Sequence, residues 1–136
     1  MRPAAGGAQS YLKTQVEAST PLERVAMLYR AAVQATGAAR EAMARRDLPA
    51  RRTAMNRAMA IVAELQNTLD VERGGQIAAE LDRLYTYVLS RLLAAVSGQD
   101  PAPLDDARAI LGTLADAWQQ IASAPPAGAV PAEAPR

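Results

Sequence analysis

The chain contains no cysteine and no histidine. Without thiols it has no disulfide framework, no thiolate nucleophile and no soft metal ligand. Without imidazole it lacks the commonest general base and the commonest transition-metal ligand. Phenylalanine is absent too, and the aromatics are four Tyr and one Trp. A core must therefore be built from Leu, Ile, Val, Met and many Ala. Lysine occurs once, against fourteen arginines, and the formal net charge is only +1. That balance argues against a dedicated nucleic-acid binder, which shows a strongly basic face. The opening residues, MRPAAGGAQS, lack the apolar run of a secretory signal. The expectation is a cytoplasmic protein with no membrane insertion.

Catalytic constellations fail for the same reasons. A di-iron bundle needs Glu-x-x-His pairs, and a zinc site needs imidazole or thiolate. Gly74-Gly75 introduces a helix but follows no strand, so it is not a phosphate loop. Asp105 and Asp106 stand at a helix start, where the macrodipole accounts for them. The expectation is no enzyme, no catalytic residue, no metal and no cofactor.

What is present is helical rhythm. From Gly74 to Val96, residues Ile77, Leu81, Leu84, Tyr85, Val88, Leu92 and Val96 recur at spacings of three or four. Leu89 and Leu93 lie beside that stripe. The apolar face then covers about half the circumference, wider than the roughly 100° that packing on one neighbour needs. Such a helix sits centrally in a bundle or leaves a flank for a partner. Polar residues such as Glu80, Arg83 and Arg91 on the other side argue against a membrane span.

The remaining chain gives three more helices. Thr20-Pro21-Leu22-Glu23 has the form of a capping box with Pro in the first turn. Leu22, Val25, Ala26, Tyr29, Ala32, Val33 and Thr36 form the inward stripe of this first helix. Its other face, with Met27, Ala31, Ala35 and Ala38, suits either alanine as a helix former or a second contact surface. Gly37 interrupts it and allows a close approach. Asp47 caps a second helix whose stripe is Met55, Ala58, Met59, Ile61, Val62, Leu65 and Leu69. Gln66 falls in that stripe and needs a partner if covered. Asp70 to Gly75 makes the turn into the third helix, and Ser97-Gly98 ends it. Asp100-Pro101 opens a fourth, with Leu104, Ala107, Ile110, Leu111, Leu114, Trp118 and Ile121 inward.

Short connections make consecutive helices antiparallel. The expected fold is all-α, an antiparallel up-down four-helix bundle over residues 11–124 with a short N-terminal docking segment. Residues 1–10 are expected to be a disordered lead and the Ala/Pro-rich 125–136 a disordered tail. Tyr11, Leu12 and Val16 are apolar on a segment too short to fold alone, so they dock, either permanently or as a removable flap. Six arginines (Arg40, Arg45, Arg46, Arg51, Arg52, Arg57) gather at the first corner against Glu41 and Asp47. They suit a solvated corner with local pairs such as Glu41 and Arg45, or a docking patch for an acidic protein surface or nucleic acid.

Four blocks together resemble the flagellin export chaperone (FliS) family. Tyr11 and Val16 are similar to its Tyr-x4-Val. Thr20-Pro21-Leu22 with Met27-Leu28-Tyr29 resembles its opening of helix 1. Ile61-Val62-Ala63-Glu64-Leu65 through Leu69-Asp70 resembles the Ile-Ile-x-Glu-Leu block. Gly74-Gly75-Gln76-Ile77-Ala78 through Leu84-Tyr85, Tyr87 and Arg91-Leu92 resembles the Gly-Gly-x-Ile-Ala block, and Trp118 also fits. Ala95 stands where the family commonly has Asn. The resemblance implies a four-helix bundle that binds the C-terminal segment of flagellin in the cytoplasm and holds it monomeric until type III export. Export apparatus components are candidate further partners, and the chain is expected as a monomer or homodimer. On this reading Leu89, Leu93, Met59 and Ile61 line part of the client surface, and Tyr11, Leu12 and Val16 cover part of it when empty. The competing class is a regulatory or adaptor bundle acting through protein–protein interaction or self-association.

Overall fold

The computed structural model describes residues 20–123. The lead 1–10, the tail 125–136 and Tyr11, Leu12 and Val16 lie outside the described residues. Four helices follow in order: α1 (Pro21–Arg45), α2 (Leu48–Asn67), α3 (Val71–Ser97) and α4 (Ala102–Ser123).

Each helix start is set by a side chain that accepts an otherwise orphan backbone N–H. Thr20 Oγ1 accepts from the Glu23 N–H at 3.1 Å, and the Glu23 carboxylate accepts from the Thr20 N–H at 2.9 Å. Asp47 accepts from Ala50 at 3.1 Å, Asp70 from Arg73 at 3.1 Å and Asp100 from Ala102 at 3.0 Å. The sharp α1–α2 corner is closed by Arg46, held left-handed at φ 61° with its N–H donating to the Met43 carbonyl at 3.1 Å.

The third helix departs from the expectation. It begins at Val71 rather than Gly74, because Asp70 caps a first turn ahead of the glycines. Gly75 then breaks the helix with φ 58° and ψ −134°, a conformation open essentially to glycine alone. Gly74 is fixed by space instead: a Cβ there would fall 2.5 Å from the Ala78 Cβ.

The helices form a ring in which α1 packs on α2 and α4, and α3 packs on the same two. Cross-links along the seams show the antiparallel sense. Arg51 near the start of α2 reaches the end of α3, whereas Gln66 near the end of α2 reaches Asp82 in the first half of α3. Arg40 in the second half of α1 meets Asp105 at the start of α4 at 3.0 Å, and Arg30 in its first half meets Gln119 near the end of α4. The all-α antiparallel four-helix bundle expected from the sequence is the observed fold.

At the centre the Tyr29 and Tyr85 hydroxyls hydrogen-bond across the α1–α3 diagonal. The Trp118 ring stacks on Tyr29, with centroids 6.1 Å apart. Met55, Val62, Leu65, Leu92, Leu104 and Leu111 fill the layers on either side. Each buried aliphatic side chain contributes about 1.5–3 kcal/mol. Alanine does more than form helix: Ala32, Ala35, Ala39 and Ala42 of α1 and Ala54 and Ala58 of α2 are all buried. Thr36 is buried and satisfied, donating to the carbonyls of Val33 at 2.8 Å and Ala32 at 3.1 Å. The Gly37 gap is taken by the Arg108 guanidinium, whose Nη2 lies 3.0 Å from where a Cβ would stand.

On α3 the buried line is Ala78, Tyr85, Val88, Leu92 and Ala95. Ile77 is 71% exposed and Val96 44% exposed, so both ends of the expected stripe are displaced by one residue. The cause is the breadth of the apolar face. Two neighbouring helices cover its middle, and its edges stay in water.

Candidate docking surface

Arg51 decides how the lower ends of α2 and α3 meet. It is only 5% exposed, and its guanidinium donates to the carbonyls of Ala95 and Gly98. Those carbonyls belong to the end of α3, where the helix dipole is negative and no intrahelical donor remains. A charge buried this way leaves the surface beside it to other residues.

That surface is a groove of about 440 Å³ between the first half of α2 and the last turns of α3. On α2, Leu48, Arg52, Met55 and Met59 line it, at spacings that place them on one face. On α3 it is lined by Leu93, Val96 and Ser97. Leu93 is 65% exposed and Leu48 57% exposed. The consecutive leucines Leu92 and Leu93 lie about 100° apart on the helix, so Leu92 takes the core and Leu93 faces water. Leu89, four residues before Leu93, is half-buried and packs against the core from the flank.

The structure therefore brings Met59 and Leu93 into one groove, with Leu89 on the ridge above. It places Ile61 elsewhere. Two residues from Met59 is about 200° around α2, and Ile61 is half-buried against the core outside this groove. Leu48, Val96 and Arg52 also line the groove; by sequence Val96 belongs to the inward stripe and Arg52 to the arginine corner, and none of the three is assigned to a client surface. The signal was there, since Leu48, Met55 and Met59 repeat at helical spacing.

The arginine corner is largely structural. Arg40 pairs with Asp105, Arg45 lies 3.9 Å from Asp47 rather than pairing with Glu41, Arg46 shapes the corner and Arg51 caps α3. The α3–α4 seam is polar: Tyr87 donates to Asp106 at 2.6 Å and Arg91 meets the same oxygen at 3.1 Å. Among the described residues no group of three or more His, Cys, Asp or Glu is placed to hold a metal. No helix there is long and apolar enough to cross a membrane.

The model of the family described as flagellar protein FliS matches residues 4–125. The chain belongs to the FliS family. It is similar to the flagellar secretion chaperone FliSB of Pseudomonas aeruginosa, 32% identical over 113 residues, which is 83% of this chain and 90% of that protein. It is equally similar, at 32% identity, to the flagellar secretion chaperone FliS of Vibrio cholerae, over 85% of this chain and 88% of that one. The Salmonella typhimurium flagellar secretion chaperone FliS also shares 32% identity, over 86% of this chain and 90% of its own.

The blocks that carry the FliS resemblance are mostly architectural in this structure. Tyr29 and Tyr85 join at the core, Asp70 caps α3, Gly74 and Gly75 shape its start, and Tyr87 and Arg91 hold Asp106. They specify the FliS bundle; the exposed groove residues Leu48 and Leu93 stand outside those blocks.

Proposed function

We propose that this FliS-family chain is a cytoplasmic flagellar export chaperone that binds the C-terminal segment of flagellin, prevents its premature polymerisation and keeps it competent for type III export. The observation that carries the reading is the α2–α3 groove, apolar and exposed in a protein of this family. A segment built for helix–helix packing in a filament lacks a complete core before assembly. It can lay an amphipathic helix into such a groove. Nothing in this role requires catalysis. Ordering the client costs roughly 2–5 kcal/mol of the gross interaction, so a larger interface than the groove alone is needed, on the order of 2,000 Å². Leu89 and Leu93 with Met59 form one part of that interface, and Ile61 would serve a separate contact on the other flank of α2.

Tyr11, Leu12 and Val16 are assigned as a cover for the empty surface, and chain reach limits where. Thr20 begins α1 at the end of the bundle opposite Leu93. Val16, four residues earlier, reaches at most about 14 Å from Thr20, and Tyr11 about 30 Å, when fully extended. The end of α1 lies some 37 Å away along the axis. Within that reach Tyr11, Leu12 and Val16 would cover part of the client surface while it is empty.

Calorimetric titration with roughly the last forty residues of flagellin, with circular dichroism on the mixture, tests the reading. Saturable binding with a negative heat-capacity change and a gain in helix supports it. Leu93→Asp should weaken binding by about a hundredfold or more while leaving the helicity of the free chain unchanged. Absence of binding at high micromolar concentration, together with concentration-dependent association of the chain alone, would move the function to the self-associating adaptor.

A further inference from the structure

The charges around the lower groove are unevenly distributed. Two adjacent arginines border it and do different things. Arg51 is buried and committed to the end of α3. Arg52 is exposed at the groove and, among the described residues, makes no salt bridge. Among the described residues no Asp or Glu lines the groove. On α2 no acidic residue precedes Glu64, and on α3 none occurs between Asp82 and the end of the helix. Arg91 is occupied on another side by Asp106 at 3.1 Å. The apolar floor of Met55, Met59 and Leu93 therefore meets a cationic rim with no counter-charge among the described residues.

We propose that this groove selects a partner helix whose apolar ridge is flanked by a carboxylate, and that Arg52 is the side chain that recognises it. The inference rests on the reading of the groove as a client-binding face and adds the chemistry of the client. A guanidinium matches a carboxylate in a two-point fork, and its weak hydration makes it the better cation at a partly dry interface. An apolar ridge seated on Leu93 lowers the dielectric around Arg52, so the pair strengthens as the helix docks. A helix with lysines in the same flanking positions brings like charges together and is rejected.

The test is calorimetric titration at low salt with two synthetic amphipathic helices sharing one leucine ridge, one flanked by Glu and the other by Lys. The Glu-flanked peptide should bind more tightly by roughly two- to fivefold, the range of a partly exposed pair, and the difference should shrink at high salt. Arg52→Glu should reverse the preference, and Arg52→Lys should retain part of it. Equal binding of the two peptides, or no reversal in Arg52→Glu, overturns the inference. If Leu93→Asp still abolishes binding in that case, the groove survives as a docking face without charge selection. If Leu93→Asp leaves both peptides unaffected, the docking face and its charge selection fall together.

Discussion

Replacing Arg51 with methionine should destabilise the bundle by about 2–3 kcal/mol. Methionine keeps the unbranched stem and leaves little cavity, so the change isolates the guanidinium. Its two donations to the carbonyls of Ala95 and Gly98 are charge-assisted bonds of roughly 1.5–3 kcal/mol each, or about 3–6 kcal/mol gross. Against this stands the desolvation of the buried charge, whose Nε has no hydrogen-bond partner among the described residues and contributes a penalty of about 1–3 kcal/mol. The difference favours the native arginine, because its removal also strips a cation from the negative end of α3. Urea unfolding followed by circular dichroism would show the lower midpoint at unchanged slope. Hydrogen exchange should locate the effect, with the amides of Ala94 to Ser97 losing protection first. A variant as stable as the parent, with unchanged exchange at the end of α3, would refute the capping role. It would mean that desolvation cancels the two bonds, as it does for some buried ion pairs.

Tyr29→Phe should cost about 1–3 kcal/mol, because it strands the buried Tyr85 hydroxyl; the Tyr29→Phe/Tyr85→Phe pair should lose less than the two single changes together, measured by a double-mutant cycle. Burial pushes both phenols above their ordinary value of 10.0. The unfolded chain therefore releases these protons first, so stability is fully present below pH 10 and falls as pH rises beyond it, with a shallower fall in the double Phe variant. Gly75→Ala should destabilise by about 1–3 kcal/mol through its positive φ, a loss that a lowered thermal midpoint would register. Leu93→Asp should change unfolding free energy by less than about 0.5 kcal/mol, as befits a side chain 65% exposed.

The sequence by itself determined the four helices and their antiparallel order. The caps at Thr20, Asp47 and Asp100 are local chemistry, visible as short polar side chains ahead of periodic apolar stretches. Gln66 was legible as a residue needing a partner, and it donates to Asp82 at 3.0 Å and Thr86 at 2.9 Å. The blocks that resemble the FliS family were legible for the same reason: they fix turns and core contacts, which tolerate few residue types. What only the tertiary structure decided is which edge of each broad stripe stays in water. Periodicity gives the direction of a stripe to within about one residue, or 100°, and at that precision Ile77 and Ala78, or Leu92 and Leu93, are interchangeable. Neighbours broke the tie, since α2 and α4 together cover Ala78 and Leu92 and leave Ile77 and Leu93 outside. Arg51 shows the same limit for charge. It looked like one more solvated arginine, and only the juxtaposition of the start of α2 with the bare carbonyls ending α3 made it a buried cap. An ordered partner distant in sequence leaves no trace in local composition.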